Sequence, residues 1–536
     1  MFHQLLTPVS DSLTMSFIVA ALPIAVVLLM LGVLKRPAWQ ASLAGLATAL
    51  VIALAVWQFP AGLAFSAVAN GVTFALWPIM WIVFAALTLY NVAVQSGRFD
   101  AFRRWVLEHL PNDRRIVLIV IGYGFGSLLE GVTGFGAPVA ICASLLIMLG
   151  FEATDAVVYA LLFNPAPVAF GSLGIPITTL AGVTALPADS LGAMVGRQLP
   201  IFAFLLPFYV IAMYGGIKSV KAIFPVILVA GGTFAGVQFV TSNFVNYTLT
   251  DVLSALSCLL VTVLFLRVWK PAPDAQYAVG VGPSDEIHTD HGAIPSWQGW
   301  LPWLIMCAVV ILWTIFKVAG MGQMNVEWPG LHNQVFITLY DKPYAAIWSF
   351  QPLATGTAVL VTAIITAFAL GQGVAGLLKA AALAAKQIML PTLTVVCIVG
   401  LAFLMNYSGM AYTLGQGVAA AGVLFPLLSA FLGWLAVFLS GSDSSGNALF
   451  GNLQVVAARQ LNFDPVLMAA TNSSGGVFAK MISPQNIATG VAISGLRGQE
   501  AKIFSRTFIH SILLTVLLGL LVFMQQHAWS WMIPPY

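Results

Sequence analysis

Two stretches, LLEGVTGFGAPVAI (Leu128 to Ile141) and SGSDSSGNALF (Ser440 to Phe450), set a carboxylate beside glycines within otherwise apolar sequence. Glu130 has Leu128, Leu129, Val132 and Phe135 around it, so desolvation favours its neutral form and makes it a candidate proton carrier. Asp443 is flanked by Ser442, Ser444 and Ser445, whose hydroxyls stabilise an ionised carboxylate or help hold a cation. An ionisable group at membrane depth is costly and marks a functional site by default. The plain alternative for either residue is a hydrogen-bond acceptor that serves only the fold.

Two further stretches share this composition, NPAPVAFGSLGIP (Asn164 to Pro176) and NSSGGVFAKMISPQ (Asn472 to Gln485). Glu130–Pro138, Asn164–Pro176, Gly441–Asn447 and Asn472–Gln485 are read as non-helical backbone, which a bilayer tolerates only where protein or a water-filled cavity satisfies its polar groups. Free N–H groups and helix N-termini, expected after Gly136 and Gly475, attract anions. Hydroxyls and amides suit a small oxygen-rich ligand. The candidate binding set is Thr133, Gly134, Phe135 and Gly136; Asn164 and Gly174; Ser444, Ser445 and Asn447; and Asn472, Ser473, Ser474, Lys480 and Gln485. Lys480 is placed to face a substrate carboxylate or to pair with Asp443, with snorkelling to an interface as the plain alternative. Arg459 and Arg197 are placed near the outer surface and given little weight. Packing through small residues accounts for the glycines but requires neither the carboxylates nor the asparagines.

The elements that must position these residues follow from composition. The chain has 536 residues, 60% hydrophobic and only 7% charged, with a mean hydropathy of +0.96. A soluble domain carries about a quarter charged residues, so no soluble surface can be built here. Apolar runs of about 17 residues or more recur from Met15 to Met524, long enough to cross a bilayer as helices. The expected fold is an all-α polytopic membrane protein of about 12–14 segments; continuous rather than alternating runs exclude a β-barrel. The first run has no preceding Lys or Arg and no cleavage site after it, so it is expected to stay as a membrane helix. Four cysteines lie far apart in apolar segments and read as small buried hydrophobes. The net charge of +3 is spread over short loops and implies no nucleic-acid partner.

Lys and Arg concentrate on the cytoplasmic side. Lys35 and Arg36 after the first helix put the N-terminus outside. Arg98, Arg103, Arg104, Arg114, Arg115, Lys218, Lys221, Arg267, Lys270, Lys379, Lys386, Arg497, Lys502 and Arg506 then fall inside, so that 16 of the 21 basic residues agree. This count closes only if two segments enter and return on one side. Run 116–150 has arms of about 14 apolar residues, or about 21 Å, short of the roughly 30 Å core. It is read as a re-entrant hairpin from inside, followed by a broken helix at 154–183. Run 425–460 is the matching hairpin from outside, followed by a broken helix at 465–494. The expected organisation is a first repeat half at 1–268, a cytoplasmic linker at 269–300 and an inverted second half at 301–536, with both termini periplasmic. Asn164, Phe170, Pro176, Gly182 and Val183 recur as Asn472, Phe478, Pro484, Gly490 and Val491 at an offset of 308. Discontinuous helices at corresponding positions of two halves point to a transporter's binding site.

Some patterns are set aside. GVTGFG lacks the Lys-Ser/Thr of a phosphate loop. HTDH (His288 to His291) lies in an acidic loop and reads as a solvated linker, so no metal or cofactor is expected. No Ser-His-Asp order or HExxH helix supports an enzyme, and no catalytic residue is assigned.

The motifs LLEGVTGFGAPVAI, NPAPVAFGSLGIPI, VGRQLP, VFLSGSDSSGNALFGNLQ and TNSSGGVFAKMISPQNIA strongly resemble the bacterial L-lactate permease family, which includes glycolate permeases. The resemblance runs from the first helix to the closing WMIP. It implies proton-coupled uptake of L-lactate, D-lactate or glycolate across the bacterial inner membrane, and similarity to the ion-transporter superfamily. The implied partners are a 2-hydroxymonocarboxylate, a proton and the lipid bilayer; a homodimer is left open. Within transport the rival reading is a sodium-coupled carboxylate carrier, with Asp443 and the Ser/Asn loops holding the ion. A channel would need a continuous polar pore, which suits interrupted helices less well than alternating access does.

Overall fold

With so few polar side chains, the backbone must satisfy its own N–H and C=O groups, and helices result. The computed structural model describes residues 1–30, 34, 36–132, 137–279, 294–483, 486–487, 489–491, 496 and 499–535. Among these, ten helices are long and apolar enough to cross a bilayer, and the pair Ala153–Phe163 and Val168–Thr184, bent by 64°, is long and apolar enough only when taken together. Two shorter apolar helices are Leu13–Leu28 and Thr355–Ala369. Large apolar side chains such as Val51, Phe65 and Ile509 are exposed on the outside of the bundle, where lipid would meet them. The only strands among the described residues are short. Phe2–His3 pairs parallel to Val335–Ile337, which pairs antiparallel to Lys342–Pro343; Met324–Glu327 pairs with Ile347–Phe350.

Both hairpins are present. In the first, Arg114–Val132 goes in and Ala137–Met148 returns, with Cys142 Sγ against Ile121 O at 3.5 Å. Arg114 Nη1 donates to Gly150 O at 3.1 Å, so both ends lie on one face. The incoming arm has 19 residues rather than the shorter arm expected, so this end-to-end contact, not arm length, defines the hairpin. In the second, Phe425–Ser440 and Asp443–Gln460 run antiparallel, joined by the Ser429–Gln454 hydrogen bond. Their break is only Gly441 and Ser442. Gly441 takes φ +71°, and Ser442 caps the next helix by accepting from Ser445 N at 3.4 Å. The stretch from Asp443 to Asn447, expected as irregular, is helical.

The two broken helices differ. After Phe163 the chain turns through Asn164 to Pro167 and then takes positive φ at Ser172 (45°), Leu173 (58°) and Gly174 (76°) before continuing to Thr184. Such conformations are unfavourable for Ser and Leu and mark strained backbone. In the second half, Pro465–Lys480 is continuous and breaks only after Lys480. The expectation of irregular backbone from Asn472 and of a helix N-terminus after Gly475 is therefore overturned. Close packing explains the glycines instead. A Cβ on Gly433 would fall 1.9 Å from Asn472 O, and one on Gly475 would fall 2.1 Å from Ala430 O. The two helices touch backbone to backbone, as small residues allow. The offset match also pairs unlike conformations, since Asn164 ends a helix while Asn472 lies inside one.

Polar contacts sort the loops onto two faces. On one, Arg114 reaches Gln276 O, Arg115 approaches Asp274, Ser219 bonds Tyr277, Arg104 bonds Ile294 O, and Arg506 pairs with Asp155. On the other, the N-terminal strand meets Val335, Thr413 bonds Leu6 O, Arg459 lies 4.9 Å over Tyr340, Asp464 N bonds Gln526, and Arg197 bonds Met532 O. The first hairpin enters from the former face and the second from the latter. A membrane-impermeant maleimide should label cysteines at Gln323 and Gly330 in intact cells, and those at Lys221 and Gln276 only after permeabilisation. Labelling of all four in intact cells would contradict the two-face assignment.

Candidate functional site

Each hairpin tip needs something to terminate against, and each broken helix leaves polar backbone to satisfy. The four meet at one small cavity of about 40 Å³. The first hairpin contributes Glu130. The first broken helix contributes Val168, Gly171, Ser172, Ile175 and Pro176. The second hairpin gives Gly441, Ser442, Asp443 and Ser444, and the C-terminal end of the Pro465–Lys480 helix gives Lys480. The Asp443–Gln460 helix opens onto this space with its N-terminus, the end that favours negative charge.

Lys480 Nζ donates to Glu130 Oε1, with side chains only 5% and 2% exposed. Asn164 Nδ2 donates to Glu130 Oε2 at 3.1 Å. Gly171 makes room for this arrangement, since a Cβ there would lie 3.2 Å from Glu130 Oε1. Lys480 stands at a helix C-terminus, whose dipole favours a cation, and its carbonyl accepts from Asn486 Nδ2 at 2.9 Å. The apolar setting expected for Glu130 is thus replaced by a charged partner 350 residues away in sequence. Lys480 pairs with Glu130, not Asp443. Asp443 Oδ2 accepts from Ser473 Oγ at 2.5 Å, a partner from the neighbouring helix, while Oδ1 faces Gly476 without a hydrogen bond.

Of the other sequence candidates, Ser444 borders the cavity, whereas Ser445 and Ser474 are buried outside its lining. Asn472 accepts from Gln454 Nε2 at 2.7 Å and donates to Asn447 Oδ1 at 3.0 Å, and Asn447 Nδ2 donates to Pro176 O at 3.1 Å. This chain braces the second hairpin against both broken helices; neither asparagine lines the cavity. Gly174 packs on Tyr247, where a Cβ would approach a ring carbon to 2.8 Å. Thr133, Gly134, Phe135, Gly136 and Gln485 lie outside the described residues, as does the HTDH loop. Among the described residues no cluster of three or more His, Cys, Asp or Glu could hold a metal ion. The reading from sequence missed Ser172, whose strained backbone has no sequence signature beyond the following glycine. It also missed Asp251, buried against the first hairpin and disguised as an ordinary acid at a helix start.

Hairpins entering from opposite faces, a broken helix and a charged cavity where they meet define a polytopic membrane protein with interrupted helices at its centre. The chain belongs to the L-lactate permease family, whose profile matches residues 16–528. It is 40% identical to the glycolate permease GlcA of Escherichia coli (strain K12), over 97% of each chain. It is 39% identical to the L-lactate permease of Bacillus subtilis (strain 168), over 99% of each. In fold it is similar to Neisseria gonorrhoeae MtrF, a structure described as illuminating a class of antimetabolite efflux pumps, with a TM-score of 0.52 at 12% identity over 94% of this chain and 97% of that one.

Removing one member of a buried pair strands the other charge, at a cost of about 3–5 kcal/mol, whereas removing both is far less costly. Lys480→Met should lower the thermal unfolding midpoint in detergent, and the double variant Glu130→Gln/Lys480→Met should recover most of the loss. A double variant as unstable as the sum of the singles would show that the pair is not coupled.

Proposed function

We propose that the chain imports short 2-hydroxymonocarboxylates, with L-lactate, D-lactate and glycolate as the candidate substrates, together with a proton. The names of the relatives support the substrate class, and the Glu130–Lys480 pair at the cavity carries the coupling. Lys480 is the only cationic side chain lining that cavity among the described residues. A substrate carboxylate entering beside the N-terminus of the Asp443–Gln460 helix competes with Glu130 for the ammonium. Once Lys480 turns to the substrate, Glu130 is a buried carboxylate without its cation, an expensive state that a proton relieves. One anion therefore draws in one proton. Release on the other side restores the Glu130–Lys480 pair and expels the proton.

The exchange also removes the electrical penalty of import. An inside-negative membrane opposes an anion by about 2.3 kcal/mol per charge per 100 mV, and the accompanying proton cancels that charge. Hydroxyls from Ser172 and Ser444 border the same space and suit the 2-hydroxyl. A dicarboxylate would bring a second charge with no second cation to meet it, so succinate is excluded. In this reading residues 1–268 and 301–536 act as inverted halves in the bacterial inner membrane, with both termini periplasmic.

In proteoliposomes, a pH gradient should drive lactate accumulation and a sodium gradient alone should not; the reverse result would favour sodium coupling. Glu130→Gln fixes a neutral side chain. It should abolish pH-driven accumulation, at least tenfold, while leaving part of lactate counterflow. Asp443→Asn should weaken counterflow and accumulation together. A Glu130→Gln protein that still concentrates lactate down an imposed proton gradient would remove Glu130 as the coupling group.

A further inference from the structure

The cavity contains two carboxylates, but a third stands behind it. Asp251 lies in the first turn of the Thr250–Val268 helix, is fully buried, and neither of its oxygens has a hydrogen-bond partner among the described residues. It packs on the first hairpin, where a Cβ built on Gly131 would stand 2.9 Å from Asp251 Oδ2. Glu130 is the residue next to that glycine. The carboxyl thus lies against the first hairpin at the residue after Glu130 and is not spent on capping its own helix.

An ionised carboxylate with no partner at this depth is among the most costly groups a membrane protein can hold. The ionisable groups around it are few. Glu130 and Lys480 are near enough to act on it electrostatically, and already satisfy one another. Tyr123 is also near, but its hydroxyl donates to Ala203 O at 2.8 Å. Tyr247, just before the helix, is engaged by Thr178 at 3.2 Å, and Cys258 lies two turns along the same helix. The packed helices Gly171–Thr184 and Phe224–Phe244 carry no ionisable side chain. Among the described residues no cation pairs with Asp251 and no donor reaches its oxygens. Its helix begins just after Asn246, three residues beyond Asn243, which binds Arg197 on the face that carries the N-terminus. Asp251 therefore stands between that face and Glu130.

We propose that Asp251 is the proton relay that loads Glu130, an inference that rests on proton-coupled import. The two carboxyls do not touch, so when a substrate anion takes Lys480 an intervening water gives a proton to the Glu130 carboxylate, forming its O–H bond, and takes one from Asp251, whose O–H bond breaks. The negative charge left on Asp251 is then neutralised by a proton from the face bearing Asn243 and Arg197. The relay separates two tasks: Glu130 senses whether Lys480 is occupied, and Asp251 stores the proton.

The test uses full-length protein in proteoliposomes with L-lactate. Asp251→Asn should lose pH-driven accumulation at least tenfold and keep counterflow within about threefold of wild type, a split that a merely structural residue would not produce. In difference infrared spectra, wild type should show the carbonyl band of a protonated carboxyl that Asp251→Asn lacks. Gly131→Ala pushes a methyl onto the Asp251 carboxyl while keeping all three acids, and should slow pH-driven uptake more than counterflow. This second variant carries the test if Asp251→Asn does not insert. If Asp251→Asn accumulates lactate as wild type does, or retains the infrared band, the relay is overturned while coupled import stands. A wild type indifferent to the pH gradient overturns both.

Discussion

One ion pair organises this protein. Glu130 and Lys480 come from opposite halves of the chain and from hairpin and helix ends that have little else to hold them together at depth. Each would be untenable alone in an apolar interior, so each fixes where the other's element stops. The glycine at 171, the amide of Asn164 and the cap from Asn486 all follow from the need to seat this pair without a clash or an orphaned polar atom.

Around the pair the polar residues divide into those that brace and those that remain available. Asn472, Asn447 and Gln454 spend their amides on one another and on backbone carbonyls, and so lock the second hairpin in register. Ser172, Ser444 and the free oxygen of Asp443 are left over, and they face or adjoin empty space. A buried network that is fully satisfied gives rigidity; a partly satisfied one beside a cavity gives a place for a ligand.

Much of the architecture could be read from the sequence because membrane depth leaves few choices. Charge placement and the apolar runs point to an all-α polytopic fold with interrupted helices, which the structure has, although the first hairpin's incoming arm is longer than its apolar run suggests. What could not be read was conformation that depends on distant partners. Gly475 looks like a helix breaker until the backbone of Ala430 lies against it. Lys480 is expected from sequence to face substrate or to pair with Asp443, and only the packing of four elements puts it on Glu130. Asp251, preceding a long apolar run, has the pattern of a residue at a helix start; its isolation is visible only once the hairpin tip is in place beside it.

The contacts of Gly433 with the backbone of Asn472 and of Gly475 with that of Ala430 have a mechanical consequence. Two helices whose backbones touch at two glycines have no side chains between them to act as bearings, so neither can roll or slide past the other without collision. Lys480 rides on one of these helices, and the arm leading to Asp443 is the other. They form a single rigid strut. Whatever displaces the ammonium by more than its own side-chain reach must carry the second hairpin along, which makes the cation and the mouth of the cavity parts of one lever.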